Sequence, residues 1–273
     1  MEQSFLYVLL ISGIQLFYLL GVFIAVGFLL GYLEKRSNRY ITRVFGRKGI
    51  LLTAWIGTPI HEAGHALMCL LFRHKITKVK FLQLNDPNGV LGYVEHAYNP
   101  RSIYQRIGLF FIGLAPVFSG ILALIMCMYF FVPNSYQVFQ EYLNTKVQAG
   151  QINIDMIQTM FVSTFTLFKS LFSLSNVMNP YFWLFIILSI SISSHIALSS
   201  ADIKESSHGL VMVFALLVIF NTVSSYLGVD GQQVIVAISK YNAYVLAFSS
   251  IAIVFSSLTL GISFLLYRLK MVR

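Results

Sequence analysis

Residues 50–72 read ILLTAWIGTPIHEAGHALMCLLF, and this stretch decides how the rest of the chain is interpreted. It is long enough to cross the hydrocarbon of a bilayer, which takes about 20 mostly apolar residues. Within it stand His61, Glu62 and His65, three ionisable side chains in otherwise apolar surroundings. Burying such groups is costly unless they are paired or coordinated, so their presence in an apolar stretch indicates a functional site.

The composition around this stretch excludes an ordinary water-soluble enzyme. Hydrophobic residues make up 57% of the 273 residues, charged residues 11%, and the mean hydropathy is +0.76. A body of this size cannot bury so much apolar surface. The net charge is +9, and we expect the basic residues to lie in loops that meet anionic lipid headgroups. No nucleic-acid partner is expected, because no surface of basic and aromatic residues interrupts the apolar pattern. Cys69 and Cys127 both lie in apolar stretches and are interpreted as packing residues.

Apolar stretches of near-spanning length predict an all-α polytopic membrane protein with about six transmembrane helices. We expect one integral membrane domain over residues 1–273, multi-pass in the cell membrane. It divides into an N-terminal anchor and basic loop (1–49), a core of about 50–225 and a C-terminal helix with a basic tail (228–273). The stretches that carry this prediction are 5–33, 50–72, 107–131, 181–199, 201–227 and 241–267.

The distribution of positive charge leaves the membrane topology open. Residues 35–48 hold the densest basic cluster and are predicted as a cytoplasmic loop. If the basic C-terminal tail lies on the same side, the chain must cross the membrane an even number of times between residues 35–48 and the tail. The sequence, however, has five apolar stretches between these two basic segments. Either residues 160–178 span despite Lys169, or one segment, with 50–72 the first suspect, is re-entrant.

A β-hairpin is predicted directly after residues 50–72. Residues 76–84 and 90–98 flank Asn85-Asp86-Pro87-Asn88-Gly89, where proline sets a turn and glycine supplies positive φ. Residues 132–158 form the longest polar interval and are predicted as a loop or a short surface element. In the stretch 107–131, the small residues are expected to permit close helix packing; they are Gly108, Gly113, Ser119 and Gly120.

The sequence His61-Glu62-Ala63-Gly64-His65 has the spacing of a metal-binding helix. Positions i and i+4 share a helix face, so both imidazoles can reach one Zn²⁺, and Glu62 lies one residue round from His61, where it can face an activated water. A catalytic zinc takes three protein ligands and keeps one position for water, so one further ligand is needed. The alternative interpretation is a cluster of polar side chains that only holds packed helices together.

Asp202 is the favoured third metal ligand. It lies at the junction of two apolar stretches, where it would carry a carboxylate into the bilayer at a helix start. The alternative is an N-cap of that helix, and the two roles are compatible. His195, in the same junction, is kept as a substitute ligand or as a catalytic donor to the transition-state oxyanion. His74 and His96, at the hairpin, are each expected to be ordinary interfacial histidines.

Taken together, these features resemble the site-2 protease family of intramembrane zinc metalloproteases. The resemblance rests on the zinc motif in an apolar setting, a following hairpin, Gly113-Leu114-Ala115-Pro116 at the next helix, and a late aspartate. The similarity lies in the order of these elements along about residues 50–225, and only the zinc motif is specific to such enzymes. The family's aspartate usually lies in an Asn-Pro-…-Leu-Asp-Gly context, whereas here Ile203 follows Asp202 and Asn179-Pro180 lies upstream.

The resemblance implies a role for each candidate residue. His61, His65 and Asp202 would hold Zn²⁺, and Glu62 would be the general base in hydrolysis of a peptide bond. The substrates would be membrane-anchored proteins or peptides, and an edge strand of the hairpin could hold an unwound substrate by strand addition. A metal-ion transporter and a non-catalytic membrane scaffold are the alternative functions, although no internal repeat of the transporter kind is evident. The identity of any regulatory membrane partner is left open.

Overall fold

The computed structural model describes residues 5–87, 89–146, 154–228, 231–239 and 241–271. In chain order its elements are α1 (Phe5–Phe45), α2 (Arg47–Leu71), β1 (Lys75–Lys80), β2 (Tyr93–Ala97), α3 (Ile103–Phe131), α4 (Pro133–Lys146), α5 (Ile154–Leu171), α6 (Leu174–Val177), α7 (Pro180–Ser193), α8 (Ser200–Leu227), α9 (Gly231–Ser239) and α10 (Asn242–Met271).

Four helices in the described residues are long and apolar enough to cross a membrane, which indicates a membrane protein. They are α1, α3, α8 and the C-terminal stretch Gln232–Met271 that contains α10. The estimate of about six spans is not confirmed. The helix α7 is apolar but has 14 residues, so it covers about 21 Å of a hydrocarbon core about 30 Å thick.

The basic segment after the first apolar stretch is helical, and its prediction as a loop is wrong. The helix α1 runs on to Phe45 because residues 34–45 contain no glycine or proline. Only Gly46, with a φ of 63°, separates α1 from α2. The Lys270 amine of α10 donates hydrogen bonds to the carbonyls of Val44 (2.6 Å) and Arg43 (3.3 Å), which would otherwise lack partners at the helix end.

The polar interval 132–158 is also more helical than predicted. It contains α4, the start of α5, and residues 147–153, which lie outside the described residues. The stretch 160–178 is interrupted, because α5 ends at Leu171 and the short α6 begins at Leu174. At this break the Asn176 amide donates to the Ser135 hydroxyl (3.1 Å) and to the Leu171 carbonyl (3.1 Å), so its side chain replaces lost helix bonds.

The predicted hairpin is confirmed as a two-stranded antiparallel sheet. Strands β1 and β2 pair from Lys75 opposite Ala97 to Lys80 opposite Tyr93, with an irregularity between Ile76 and Lys78. Both strands are shorter than the sequence predicts. In the intervening turn Gly89 has the expected positive φ, 80°, and Asn88 lies outside the described residues.

The helix α3 packs against both α2 and α8. Small residues allow this close approach, as the sequence predicts. A Cβ on Gly64 of α2 would collide with the Ser119 hydroxyl and lie 2.8 Å from the Ala115 carbonyl oxygen. A Cβ on Gly113 of α3 would collide with the Asp202 carbonyl. The backbone spacing at the site therefore depends on these glycines.

A polar cluster joins α1 to α8 within their apolar surroundings. The Asn221 amide nitrogen donates to Gln15 Oε1 (2.7 Å) and to the Ser12 hydroxyl (2.9 Å), and Gln15 Nε2 donates to Asn221 Oδ1 (3.2 Å). Lipid offers no competing hydrogen bonds, so such side chains commonly link helices in membranes.

Candidate metal centre

Three side chains from two helices converge on one point. His61 and His65 lie one turn apart on α2 with their Nε2 atoms 3.2 Å apart. Asp202, near the start of α8, places Oδ1 3.2 Å from His65 Nε2 and Oδ2 3.6 Å from His61 Nε2. In a tetrahedral zinc site with bonds of about 2.0–2.1 Å, neighbouring ligand atoms lie about 3.3 Å apart. The donor set and its spacing therefore fit a zinc ion.

Backbone carbonyls fix the orientation of both imidazoles. His61 Nδ1 donates to the His195 carbonyl (2.8 Å), and His65 Nδ1 donates to the Ile112 carbonyl (2.9 Å). Because a carbonyl only accepts, each ring carries a proton on Nδ1 and points Nε2 toward Asp202, where an unprotonated Nε2 can bind a metal ion. Such second contacts are usual for metal-ligating histidines.

The same orientation requires a positive charge between the rings. Two imidazole lone pairs and a carboxylate that converge without a cation would repel one another. Either a metal ion or an added proton can supply that charge. The donors, two imidazole nitrogens and one carboxylate, are compatible with a zinc site that keeps one position open.

Asp202 also caps α8, although not at the position that the sequence suggests. The N-cap is Ser199, whose hydroxyl accepts from the Asp202 amide (3.2 Å), while Asp202 Oδ2 accepts from the Ser199 amide (2.7 Å). This reciprocal pair is a capping box with aspartate as its acidic member. The carboxylate thus both stabilises the helix start and faces the two imidazoles.

Glu62 is buried, with 6% of its surface exposed, and lies under the end of the hairpin. A Cβ on Gly92, the residue before β2, would lie 2.7 Å from Glu62 Cγ and 3.0 Å from Oε1. Sequence reasoning did not single out Gly92. Its absent side chain allows the hairpin backbone to approach the glutamate directly.

His195 lies beside the cluster, but its ring is not one of the three groups that meet. Its Nε2 is 3.0 Å from the Thr53 hydroxyl, and its backbone carbonyl accepts from His61. A Cβ on Gly57 of α2 would lie 2.6 Å from His195 Cδ2, so glycine allows this contact. The contribution that the structure assigns to His195 is therefore its carbonyl, and a role in oxyanion stabilisation stays a prediction.

His74 and His96 form a separate polar chain. Their Nδ1 atoms are 3.0 Å apart, His74 Nε2 donates to the Gln105 carbonyl (2.8 Å), and His96 Nε2 pairs with Glu205 of α8 (2.8 Å). Burial lowers the pKa of His74 below its ordinary value. This chain ties the hairpin to α3 and α8 without joining the metal cluster.

Comparison of the chain with protein-family models, curated proteins and solved structures finds no match. What the fold and the site define, in the part of the chain that the structure describes, is a helical protein with four span-length helices and a cluster of two histidines and one aspartate. The cluster lies beside a buried glutamate, and the functional assignment rests on this arrangement.

Proposed function

We propose that this protein is an intramembrane zinc metalloprotease that hydrolyses peptide bonds of membrane-anchored proteins or peptides. The observation that carries the proposal is the meeting of His61, His65 and Asp202 at zinc-ligand spacing. Glu62, the residue after His61, supplies the base that a passive ion site does not need. The resemblance of the motif to the site-2 protease family points to the same activity.

In this proposal each residue of the cluster has one chemical task. The Nε2 atoms of His61 and His65 and the carboxylate of Asp202 would hold the zinc ion. When bound, zinc polarises the scissile carbonyl and makes water a better nucleophile near neutral pH. Glu62 removes the proton of the attacking water and returns it to the leaving amine. The carbonyls of Ile112 and His195 keep the imidazoles aligned during both steps.

The surroundings of the cluster favour a substrate that is itself in the membrane. The site lies between α2, α3 and α8, and α3 and α8 are long and apolar enough to span. In the proposed multi-pass topology, α2 and α7 complete a set of about six membrane elements. The hairpin backbone comes close to this site, since a Cβ on Gly92 would lie 2.7 Å from Glu62 Cγ.

The hairpin offers a way to present an extended substrate. A transmembrane helix hides its carbonyls in i to i−4 hydrogen bonds, so it must unwind before attack. Among the described residues, β1 and β2 pair only with each other, which leaves an outer edge on each strand. An unwound substrate that pairs with such an edge would run past Gly92 toward the glutamate.

The test replaces Glu62 by Gln, which keeps the shape of the side chain and removes the base. Purified wild-type and Glu62→Gln chains should bind zinc equally, while cleavage of membrane peptides should fall by about 10² to 10⁴-fold. Glu141→Gln, an exposed change on α4, is the matched control and should cleave normally.

Other outcomes separate the alternative functions. Full cleavage by Glu62→Gln, or absence of zinc from the wild-type chain, would refute the proposal. Zinc flux that persists in Glu62→Gln without any peptide cleavage in the wild type would indicate a transporter. A chain whose measured properties do not change at all would be a scaffold.

A further inference from the structure

The segment between α7 and α8, residues 194–199, supports the metal ligands from both sides, and we call it the connector. Its His195 carbonyl accepts from His61 on α2 (2.8 Å), and its Ser199 amide donates to Asp202 on α8 (2.7 Å). A shift of this short segment would therefore misalign an imidazole and the carboxylate together. Any contact that holds the connector in place therefore affects the alignment of the metal ligands.

A carboxylate from the first helix reaches the middle of the connector. Glu34 Oε2 accepts a hydrogen bond from the Ala197 amide (2.9 Å), across 163 positions of sequence. Its other oxygen accepts from Asn38 Nδ2 (3.4 Å), one turn further along α1. Ala197 lies midway between His195 and Ser199, the two residues that contact the ligands.

Glu34 has both apolar and polar side chains around it, the polar ones including Lys35 and Ser206. It lies in the wall of a cavity of about 720 Å³ whose lining includes Phe110 and Leu114 of α3. The rest of the connector is packed by apolar contacts, since Ile196 fits against Gly120 and Leu198 lies close to Gly27. The hydrogen bond from the Ala197 amide to Glu34 therefore adds a polar contact to a connector whose neighbouring side chains make apolar contacts.

We propose that Glu34 is a positioning residue for the metal centre: by holding the Ala197 amide it fixes the connector, and through it His61 and Asp202. The zinc part of this inference rests on the proposed function. Loss of a direct outer contact to a metal ligand typically weakens metal binding 10- to 100-fold. Glu34 acts one contact further out, so the expected loss is about 10-fold.

The experiment compares three single variants of the full-length chain. Glu34→Leu removes the acceptor, Glu34→Gln keeps an amide oxygen at the same place, and Ser37→Ala is the matched control. Ser37 is a buried neighbour on α1 that bonds to Ser263 of α10 (2.8 Å) and not to the connector. The measurements are zinc affinity by chelator competition, the visible absorption spectrum with Co²⁺, and amide hydrogen exchange of residues 194–199 in the metal-free chain.

Glu34→Leu should bind zinc about 10-fold more weakly, alter the Co²⁺ spectrum and speed exchange in the connector. Glu34→Gln should restore all three, and Ser37→Ala should leave all three at wild-type values. Wild-type affinity and exchange in Glu34→Leu would overturn the proposal, and a Glu34→Gln variant as impaired as Glu34→Leu would overturn the hydrogen-bond explanation.

The exchange measurement keeps this test separate from the proposed function. If the wild-type chain binds no zinc, the protease proposal fails on that result alone. Exchange in the metal-free variants still decides whether Glu34 holds the connector, because it does not depend on a bound ion.

Discussion

Asp202 has two tasks in this structure, and three substitutions can separate them. Its Oδ2 accepts from the Ser199 amide (2.7 Å) as part of the cap of α8, and its carboxylate oxygens lie 3.2 and 3.6 Å from the imidazoles. Asp202→Asn keeps an oxygen for the cap and removes the charge. Ser199→Ala removes the hydroxyl half of the cap and leaves the carboxylate. Asp202→Ala removes both functions.

The expected changes in stability and in zinc affinity follow from these contacts. Ser199→Ala should lower the free energy of unfolding by about 1 kcal/mol, the usual cost of an N-cap serine, and leave zinc affinity unchanged. Asp202→Asn should lose more than about 100-fold in zinc affinity, beyond the usual cost of losing an outer contact, because a ligand itself is lost. Asp202→Ala should show both losses.

The assay is zinc affinity by chelator competition beside thermal unfolding of the metal-free chain in detergent. Wild-type zinc affinity in Asp202→Asn would refute the ligand assignment and make His195 the next residue to test. Equal loss of zinc in Ser199→Ala and Asp202→Asn would show that the helix start, and not coordination, controls binding.

Three further predictions concern packing and substrate handling. Gly64→Ala should destabilise the chain by about 1–3 kcal/mol, because its Cβ would collide with Ser119; Gly13→Ala, which meets no atom within 4 Å, should not, and thermal unfolding checks both. Asn221→Leu should cost about 1 kcal/mol by breaking the link between α1 and α8, whereas Thr222→Val on the exposed face should cost less. A proline within β1 should slow cleavage and leave bound zinc unchanged; unaffected cleavage would refute the strand-addition hypothesis.

The local features of the site were predictable because they depend on neighbours in the chain. The i, i+4 spacing of His61 and His65 places both rings on one face of any helix, whatever packs around it. The hairpin followed from turn chemistry at Pro87 and Gly89. The basic loop was predicted wrongly because positive charge does not end a helix, whereas a glycine such as Gly46, at positive φ, can.

Contacts between distant segments decided the rest. The sequence offered both Asp202 and His195 as the third ligand, and only the packing of α2 and α8 on α3 brings the carboxylate to the imidazoles while the His195 ring contacts Thr53. The carbonyl of Ile112 and the carboxylate of Glu34 had no sequence signal as supports. A backbone acceptor has the same chemistry at every residue, and a partner 163 positions away is chosen by how helices pack, which no local pattern encodes.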